Sequence, residues 1–442
     1  MNDKNRGDDM VHNSSFTTHN SLVPRLRFPE FWEAGEWEVR RLGEISEVKT
    51  GPFGSTLHQS DYVKVGTPII TVEHLGETGI EGGNAPMVSD SDKDRLTSYA
   101  LNEGDIVFSR VGSVDRSAIV RAPEKGWLFS GRLLRLRIAT ADDSASFLNQ
   151  LLKHAPSKSQ IRNCAVGQTM ASLNAEILKG ISLPFPSNGE QQKIADCLSS
   201  LDALIAAQAE KLDALKTHKK GLMQQLFPRE GETVPRLRFP EFREAGEWEE
   251  VALGEVAEIK LGKMLDSKKH ITGNLLPYLN NVAVRWNDVD TSNLPKMYFD
   301  DDELDRFGLS AGDVVVCEGG EPGRSAVWDG HLPDLKFQKA IHRVRFNVPF
   351  EPQLLVLYLE SIAGTSRFEK LFTGGGIKHL TRETFAQLKV PLISPAEQQK
   401  IAACLSSLDT LIAAQAEKLD ALKTHKKGLL QQLFPSPEAT TA

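Results

Sequence analysis

The sequence has few cysteines, no long apolar run and no excess of positive charge. Its four cysteines form no C-x-x-C pair, which fits a reducing compartment and gives no zinc-site spacing. No segment approaches the roughly 18 apolar residues that are needed to cross a bilayer. The polar start MNDKNRGDDM also lacks the apolar core of a signal peptide. Together these absences predict a cytoplasmic protein.

Sequence signatures of catalysis are missing as well. The chain has no G-x-x-x-x-G-K-[ST] phosphate loop, no N-P-P-[FY] or D-P-P-[FY] motif of adenine methyltransferases, and no helix with paired metal-binding histidines. Asp334 and Lys336 form a nuclease-like D-x-K, but no upstream Pro-Asp partner stands at a sensible spacing, so we interpret it as chance. We predict no catalytic residue, and no metal or cofactor bound by this chain.

The overall charge argues mildly against a nucleic-acid-binding protein. The net charge is −7, whereas such proteins usually carry a basic contact face. The local balance is different, because residues 103–138 contain seven basic against four acidic side chains, and residues 362–390 contain five against two. These excesses would either face a polyanion or be solvated surfaces.

Two stretches of the sequence occur twice. VPRLRFPEF begins at Val23 and again at Val234, and residues 190–228 recur at 397–435 with only three of 39 positions changed. The sequences between the repeats are mostly unlike. This order predicts a duplicated unit of lobe followed by helix, in which the lobes have diverged while the frame has not.

Each repeated segment is predicted to be a long helix with a coiled-coil seam. Apolar residues recur at spacings of three and four over almost five heptads, and Pro228 and Pro435 end the pattern. We expect the two helices to pair as an antiparallel coiled coil with pseudo-two-fold symmetry, in which two mid-helix glutamines lie close together and fix the register. The alternative is that each helix packs on its own lobe. The seam residues are Leu198, Leu201, Ile205, Gln208, Leu212 and Leu215, with Leu405, Leu408, Ile412, Gln415, Leu419 and Leu422.

The predicted fold class is α+β, with two globular lobes of mixed β-sheet and short helices. Short apolar runs such as GDIVFSR and GDVVVCEGG lie among glycine, proline and asparagine turns, which indicates strands. The predicted division is a disordered tail (1–22), a first lobe (23–186), a first helix (187–228), a second lobe (229–393), a second helix (394–435) and a short disordered tail (436–442).

Several motifs resemble the specificity subunits of type I restriction-modification enzymes. They include GDIVFSRVGSVDRSAIV and GQTMASLNAEILKGISLPFP in the first lobe, GDVVVCEGGEPGRSAVW and GGIKHLTRETFAQLKVPLISP in the second, and both EQQKIA segments. The resemblance covers nearly the whole of residues 23–435. It implies a non-catalytic subunit whose two target recognition domains each bind one half of a split, asymmetric double-stranded DNA sequence, with the antiparallel helices setting the distance between them.

The same resemblance implies the partners. Two methyltransferase subunits that modify adenine would dock on the repeated frame, and two restriction or translocase subunits would join them. S-adenosylmethionine, ATP and magnesium are then expected on those partners rather than on this chain.

Candidate DNA contacts are the glycine-punctuated loops, where the backbone can approach a phosphate and a nearby side chain can reach a groove. An arginine such as Arg110 or Arg343 could bind guanine through two hydrogen bonds. The candidates are Lys49, Thr50, Gly51, Phe53, Gly54, Ser55, Arg110, Ser113, Arg116, Gln168 and Thr169 in the first lobe, and Lys260, Lys263, Glu318, Arg324, Gln338, His342, Arg343 and Lys378 in the second.

Three alternatives stay open from the sequence. Arg116 and Arg324, which are shared by both lobes, could be structural instead of binding DNA. The whole chain could be an architectural coiled-coil scaffold whose lobes bind proteins. It could also be a nuclease or methyltransferase in its own right, an interpretation that the missing motifs disfavour.

Overall fold

A computed structural model describes residues 22–52, 57–167, 171–264, 273–373 and 378–435. All of the predicted N-terminal tail but Leu22, and the whole predicted C-terminal tail, lie outside the described residues. The chain divides into two compact units. One comprises the chain up to Glu210 together with the residues from Glu417 onward, and the other comprises Lys211–Ala416. Both boundaries fall inside long helices, so each unit contains one lobe and half of each helix.

The first lobe and the helix that follows it contain ten strands and six α-helices in the part of the chain that the structure describes. In chain order they are β1 (Glu38–Arg41), α1 (Leu42–Ile45), β2 (Ser46–Thr50), β3 (Tyr62–Val63), β4 (Thr67–Ile70), β5 (Met87–Val88), α2 (Asp90–Arg95), β6 (Ile106–Ser109), β7 (Ser117–Ile119), β8 (Leu128–Phe129), β9 (Leu133–Ile138), α3 (Ala145–Lys153), α4 (Ala155–Cys164), α5 (Ala175–Gly180), β10 (Ser182–Phe185) and α6 (Asn188–Leu226).

The second lobe repeats this order with changes in its middle. Its elements are β11 (Glu249–Ala252), α7 (Leu253–Val256), β12 (Ala257–Leu261), β13 (Asn274–Leu279), β14 (Val284–Arg285), β15 (Asp288–Val289), β16 (Lys296–Phe299), α8 (Glu303–Arg306), β17 (Val314–Cys317), β18 (Ser325–Val327), β19 (Lys336–Phe337), β20 (Ile341–Phe346), α9 (Pro352–Ile362), α10 (Ser366–Glu369), α11 (Arg382–Ala386), β21 (Lys389–Leu392) and α12 (Pro395–Leu433).

Both lobes are built on the same four-stranded antiparallel sheet. Its order is β2-β9-β6-β7 in the first lobe and β12-β20-β17-β18 in the second. A second, inserted sheet takes most of its strands from the chain between β2 and β6, or between β12 and β17, and one strand, β8 or β19, from just before β9 or β20. It differs between the lobes: β3-β5-β4-β8 in one and β16-β13-β19 in the other. The fold is thus α+β as predicted, with a common sheet and a lobe-specific insertion.

Each four-stranded sheet is covered on both faces. Along β17, Val314 and Val316 pack with the helix-side core that contains α9, while Val315 and Cys317 pack with the inserted sheet. Burial of this kind raises the pKa of the Cys317 thiol to about 11. Because successive side chains of a strand point to opposite faces, a strand covered on both sides reads as a continuous apolar run, as VVVC does.

The helix-side core of each unit includes the start of one long helix and the end of the other. In the first unit, Leu198 of α6 packs in the same core as Leu433 and Phe434 at the end of α12. In the second, Leu405 of α12 shares a core with Leu226 of α6. The alternative that each helix packs only on its own lobe is therefore wrong.

Within each unit the two helix halves run antiparallel, as predicted. Asp202 of α6 accepts a hydrogen bond from Lys426 of α12 at 2.6 Å in the first unit, and Lys219 of α6 lies 2.7 Å from Asp409 of α12 in the second. Seam positions are buried at heptad spacing, including Leu198, Ile205, Leu212, Leu405 and Leu419. The pairing of Gln208 with Gln415 would join the two units and stays a prediction.

The repeated VPRLRFPEF segment fastens both helices to its lobe. Arg27 binds Glu190 at the start of α6 through two hydrogen bonds of 2.7 and 2.8 Å, and the Leu26 amide donates to the Gln432 carbonyl at the end of α12. Trp37 lies edge-on to Phe434. The second copy makes the same contacts, from Arg238 to Glu397 and from Leu237 to Gln225. The sequence is repeated because the same clamp is used twice.

Two features are absent from the part of the chain that the structure describes. No helix there is long and apolar enough to span a membrane. No group of three or more histidine, cysteine, aspartate or glutamate residues there is arranged to hold a metal ion.

The two lysine–aspartate pairs between the helices, one fully buried and one with a half-buried aspartate, predict unequal costs for the same substitution. Asp202→Asn leaves the buried Lys426 without a carboxylate, which should lower the free energy of unfolding by about 3 kcal/mol. Asp409→Asn should cost about 1 kcal/mol or less, because Lys219 also binds Glu360 at 2.8 Å. Burial, with Glu360 nearby, raises the pKa of Asp409, so its charge is already disfavoured. Urea titration of the full chain measures the free energy of unfolding of both variants. Equal losses would contradict the compensating role of Glu360.

Candidate nucleic-acid interface

The predicted loops of the first lobe meet at one end of its four-stranded sheet. The Gly51 amide, just after β2, donates to the Leu133 carbonyl at 3.1 Å, and the Arg110 amide, just after β6, donates to the Arg132 carbonyl at 2.9 Å. Residues 110–112 also pair with residues 171–173, through the Leu173 amide on the Arg110 carbonyl at 2.8 Å. Four segments, at residues 51, 110–112, 132–133 and 171–173, thus form a single loop cluster.

The second lobe has the same cluster at the same end of its sheet. The Gly262 amide bonds the Ile341 carbonyl at 3.1 Å, and the Leu380 amide bonds the Glu318 carbonyl at 2.8 Å. Glu318 stands at the position of Arg110, so the side chain at the centre of the cluster changes sign between the lobes. This difference is what two readers of different sequences would need, because carboxylates accept hydrogen bonds from bases whereas arginines donate them.

Side chains of the first-lobe cluster are accessible to different degrees. Ser113 is exposed, while Arg110 is half-buried and donates to the carbonyls of Leu173 and Gly131 at 3.3 Å. Lys49 is half-buried too, and donates to the Ser98 carbonyl at 2.8 Å. Burial, aided by Arg135, lowers the pKa of Lys49. An approaching phosphate would stabilise the charged form of this lysine.

Three candidates of the second lobe lie inside it instead of at its surface. His342 is fully buried and its Nε2 lies 2.7 Å from the Leu380 carbonyl; burial lowers its pKa. Arg343 is 1% exposed and donates to the Gly308 carbonyl and to Glu258. Lys263 is 5% exposed and donates to Glu303 and the Tyr298 carbonyl. These side chains support the lobe from within, and contact with DNA would require them to leave those partners.

The shared arginines occupy equivalent places in both lobes. Arg116 donates to the Leu75 carbonyl, and Arg324 donates to the Asn281 carbonyl at 2.6 Å. Each arginine therefore connects the turn after β6 or β17 to the inserted part of its lobe by a hydrogen bond. This arrangement supports the structural alternative for both residues.

The remaining candidates are more accessible or lie outside the described residues. Lys378 is exposed and pairs with Glu369, while Thr50, Lys260 and Gln338 are half-buried. Gly51 is buried, and a Cβ there would stand 2.1 Å from the Ser130 carbonyl oxygen, so only glycine fits. The candidates outside the described residues are Phe53, Gly54, Ser55, Gln168 and Thr169.

Sequence reasoning missed two cations of the clusters. Arg132 is exposed and immediately precedes β9. Lys339 is exposed in the matching turn before β20, and its amide bonds the Lys263 carbonyl at 2.8 Å. Neither has a neighbouring motif. Pairing β9 with β2 and β20 with β12 would have placed both at the sheet end where the predicted loops meet.

Comparison with known proteins agrees with this architecture. A family model described as the type I restriction modification DNA specificity domain matches residues 34–217 and 245–424, most of the chain in two copies. The sequence is 28% identical, over 90% of this chain and 93% of the relative, to a protein of Methanocaldococcus jannaschii provisionally named the type I restriction enzyme MjaX specificity subunit.

Solved structures agree with this fold. The S subunit of a type I restriction-modification system from M. genitalium has a TM-score of 0.59 at 17% identity, covering 94% of this chain and 100% of that one. A chain from a study of complex assembly and conformational transition of the type I R-M system has a TM-score of 0.53 at 18% identity, covering 91% and 98%. At such identities the likeness concerns the fold alone.

The class of protein is therefore a two-lobed DNA specificity protein with a duplicated helical frame. The chain belongs to the type I restriction modification DNA specificity family. It is a specificity subunit by family, which is a non-catalytic role, so neither a separate enzyme nor a purely architectural scaffold accounts for it.

The loop cluster predicts a DNA contact at Arg132. Arg132→Gln should weaken binding to every duplex several-fold and reduce the slope of log affinity against log salt by about 0.9, the loss of one phosphate contact. Arg243→Gln, which removes another exposed arginine, just after the VPRLRFPEF segment of the second unit, is the matched control. Binding isotherms at several salt concentrations distinguish the two variants. The same affinity and salt slope for both would contradict a DNA contact at Arg132.

Proposed function

We propose that the chain reads a bipartite, asymmetric double-stranded DNA sequence, with one lobe reading each half. One observation carries this proposal. The two lobes share the four-stranded sheet and the clamp, but their inserted sheets and the side chains of their loop clusters differ. A common frame presents both loop clusters in the same way. The lobe-specific residues, such as Arg110 opposite Glu318, then give each lobe its own preference.

The chain would act as a scaffold for catalytic partners. Membership of the specificity family implies that methyltransferase subunits would methylate adenine and that restriction subunits would cleave the DNA, with two copies of each. S-adenosylmethionine would be bound by the former, and ATP and magnesium by the latter. The architectural alternative, in which the lobes bind proteins, predicts no preference among duplexes and no steep salt dependence.

Exchange of a lobe tests the bipartite proposal. Replacing residues 23–186 with the first lobe of a relative should change one half of the methylated sequence and leave the other half unchanged. Mapping of methylated adenines in cells that carry either chain, with the matching methyltransferase present, gives the result. Exchange of residues 229–393 is the reciprocal control and should change only the other half. A change of both halves by either exchange would refute independent reading.

The repeated frame supports the proposal of two identical partners. Identical apolar side chains are exposed at equivalent places in both units: Leu204 is 45% exposed and Leu411 is 49% exposed. An exposed leucine on a repeated helix is suited to the core of a protein interface. Each unit would therefore offer the same surface to one copy of the methyltransferase.

Substitution of these leucines tests the stoichiometry. Leu204→Glu or Leu411→Glu alone should leave one methyltransferase copy per chain, and the double variant should leave none, because a buried carboxylate opposes association. The mass of the complex in solution measures this. Thr410→Ala, which only restores the residue of the first repeat, is the control. A double variant that still binds two copies would exclude this surface.

A further inference from the structure

A basic cleft lies in the first unit between the lobe and its two helix halves. It is half-enclosed, has a volume of about 730 Å³, and is lined by the turn at residues 75–78, the start of β7, the α3–α4 region, α6 and α12. Three carboxylates also line it. Its six cationic side chains come from the lobe and from the end of α12: Arg116, Lys153, Lys158, Lys423, Lys426 and Lys427.

The three carboxylates, those of Glu77, Asp115 and Asp202, do not balance the six cations, and the lining keeps an excess of three positive charges. The Asp202 carboxylate accepts hydrogen bonds from Lys426 at 2.6 Å and from the Gln150 side-chain amide at 2.8 Å. Asp115 binds Arg162, which is not part of the lining, at 2.7 Å. The Lys153 ammonium donates to a neutral acceptor, the Glu77 carbonyl, at 2.8 Å. Burial, with Lys426 close by, lowers the pKa of Lys153 to about 8. A counter-charge inside the cleft would relieve this repulsion.

The second unit has a glutamate, Glu360, where the first has Lys153. Glu360 is the residue 207 positions after Lys153, at the same place in the helix that follows the common sheet. It accepts two hydrogen bonds from Lys219, at 2.8 and 2.9 Å, and Lys219 is the counterpart of Lys426. Lys158 is likewise replaced by Thr365. The helix lysines are the same in both units, so the greater positive charge of this cleft is due to Lys153 and Lys158 of the first lobe.

We propose that this cleft binds a compact polyphosphate anion, such as a nucleoside triphosphate or tripolyphosphate. Phosphate oxygens accept charge-assisted hydrogen bonds from several ammonium groups at once. The volume falls within the roughly 300–1,000 Å³ that is typical of small-ligand pockets. A DNA backbone is the competing ligand. It is disfavoured because both helices carry the same THKKG segment near their ends, whereas Lys153 and Lys158 have no cationic counterpart in the second lobe and line a concave space.

Calorimetric titration of the full chain with sodium tripolyphosphate, and separately with ATP without magnesium, at low salt tests the proposal. One equivalent should bind. Lys427→Glu should weaken the affinity at least about tenfold, in line with the loss of a charged contact. Lys220→Glu makes the same change at the equivalent exposed position of the second unit and should leave the affinity unchanged. Lys153→Glu, which copies Glu360, should abolish binding.

Three outcomes would overturn the proposal. These are no saturable binding of either probe, equal weakening by Lys427→Glu and Lys220→Glu, or weakening by Lys427→Glu of duplex DNA binding alone. The third would assign the cleft to the DNA backbone. Since Lys427 is exposed, its substitution tests the site even if Lys153→Glu does not fold. Sequence-specific DNA binding of the same preparation reports separately on the proposed function.

Discussion

The clamp of an arginine on a buried glutamate holds each unit together. Arg27 with Glu190, and Arg238 with Glu397, place the VPRLRFPEF segment across the first turn of one helix, while the adjacent leucine amide bonds the last turn of the other. Both glutamates are almost fully buried. A buried carboxylate in the first turn of a helix also interacts favourably with the helix dipole. The helix pair, the core beneath it and the position of the sheet all depend on this contact.

Much of this architecture could be predicted because it depends on periodicity. The heptad spacing of α6 and α12 determined their pairing, and the proline residues determined where they end. Repeats of short motifs indicated two related lobes. The glycine that begins GDIVFSR and the one that begins GDVVVCEGG, Gly104 and Gly312, both have a positive φ. The aspartate that follows each accepts hydrogen bonds from an arginine of the adjacent strand, so the two motifs form the same structural turn.

The candidate site was less predictable, because burial of a strand depends on what covers it. IHRVRF in β20 has alternating polar residues, which usually indicate an exposed face. Here the inserted sheet covers the face that carries Arg343, which lies over the Phe337 ring, while His342 points to the opposite, helix-side face and lies beside Phe385; both are therefore internal. Equally, Arg132 and Lys339 belong to no motif, and only strand pairing brings them to the loops. A charge reversal such as Lys153 against Glu360 can be recognised only when the two lobes are aligned through the repeat.

The division of the chain into units also determines the order in which they can fold during synthesis. The second unit is contiguous, from Lys211 to Ala416, whereas the first needs the α12 residues from Glu417 onward. Leu433 and Phe434 fill the core of the lobe that the ribosome makes first. That lobe must therefore wait, with part of its apolar surface uncovered, until nearly all of the described chain has emerged. Translation thus completes the later unit before the earlier one, and a chaperone would have most to protect at the beginning of the chain.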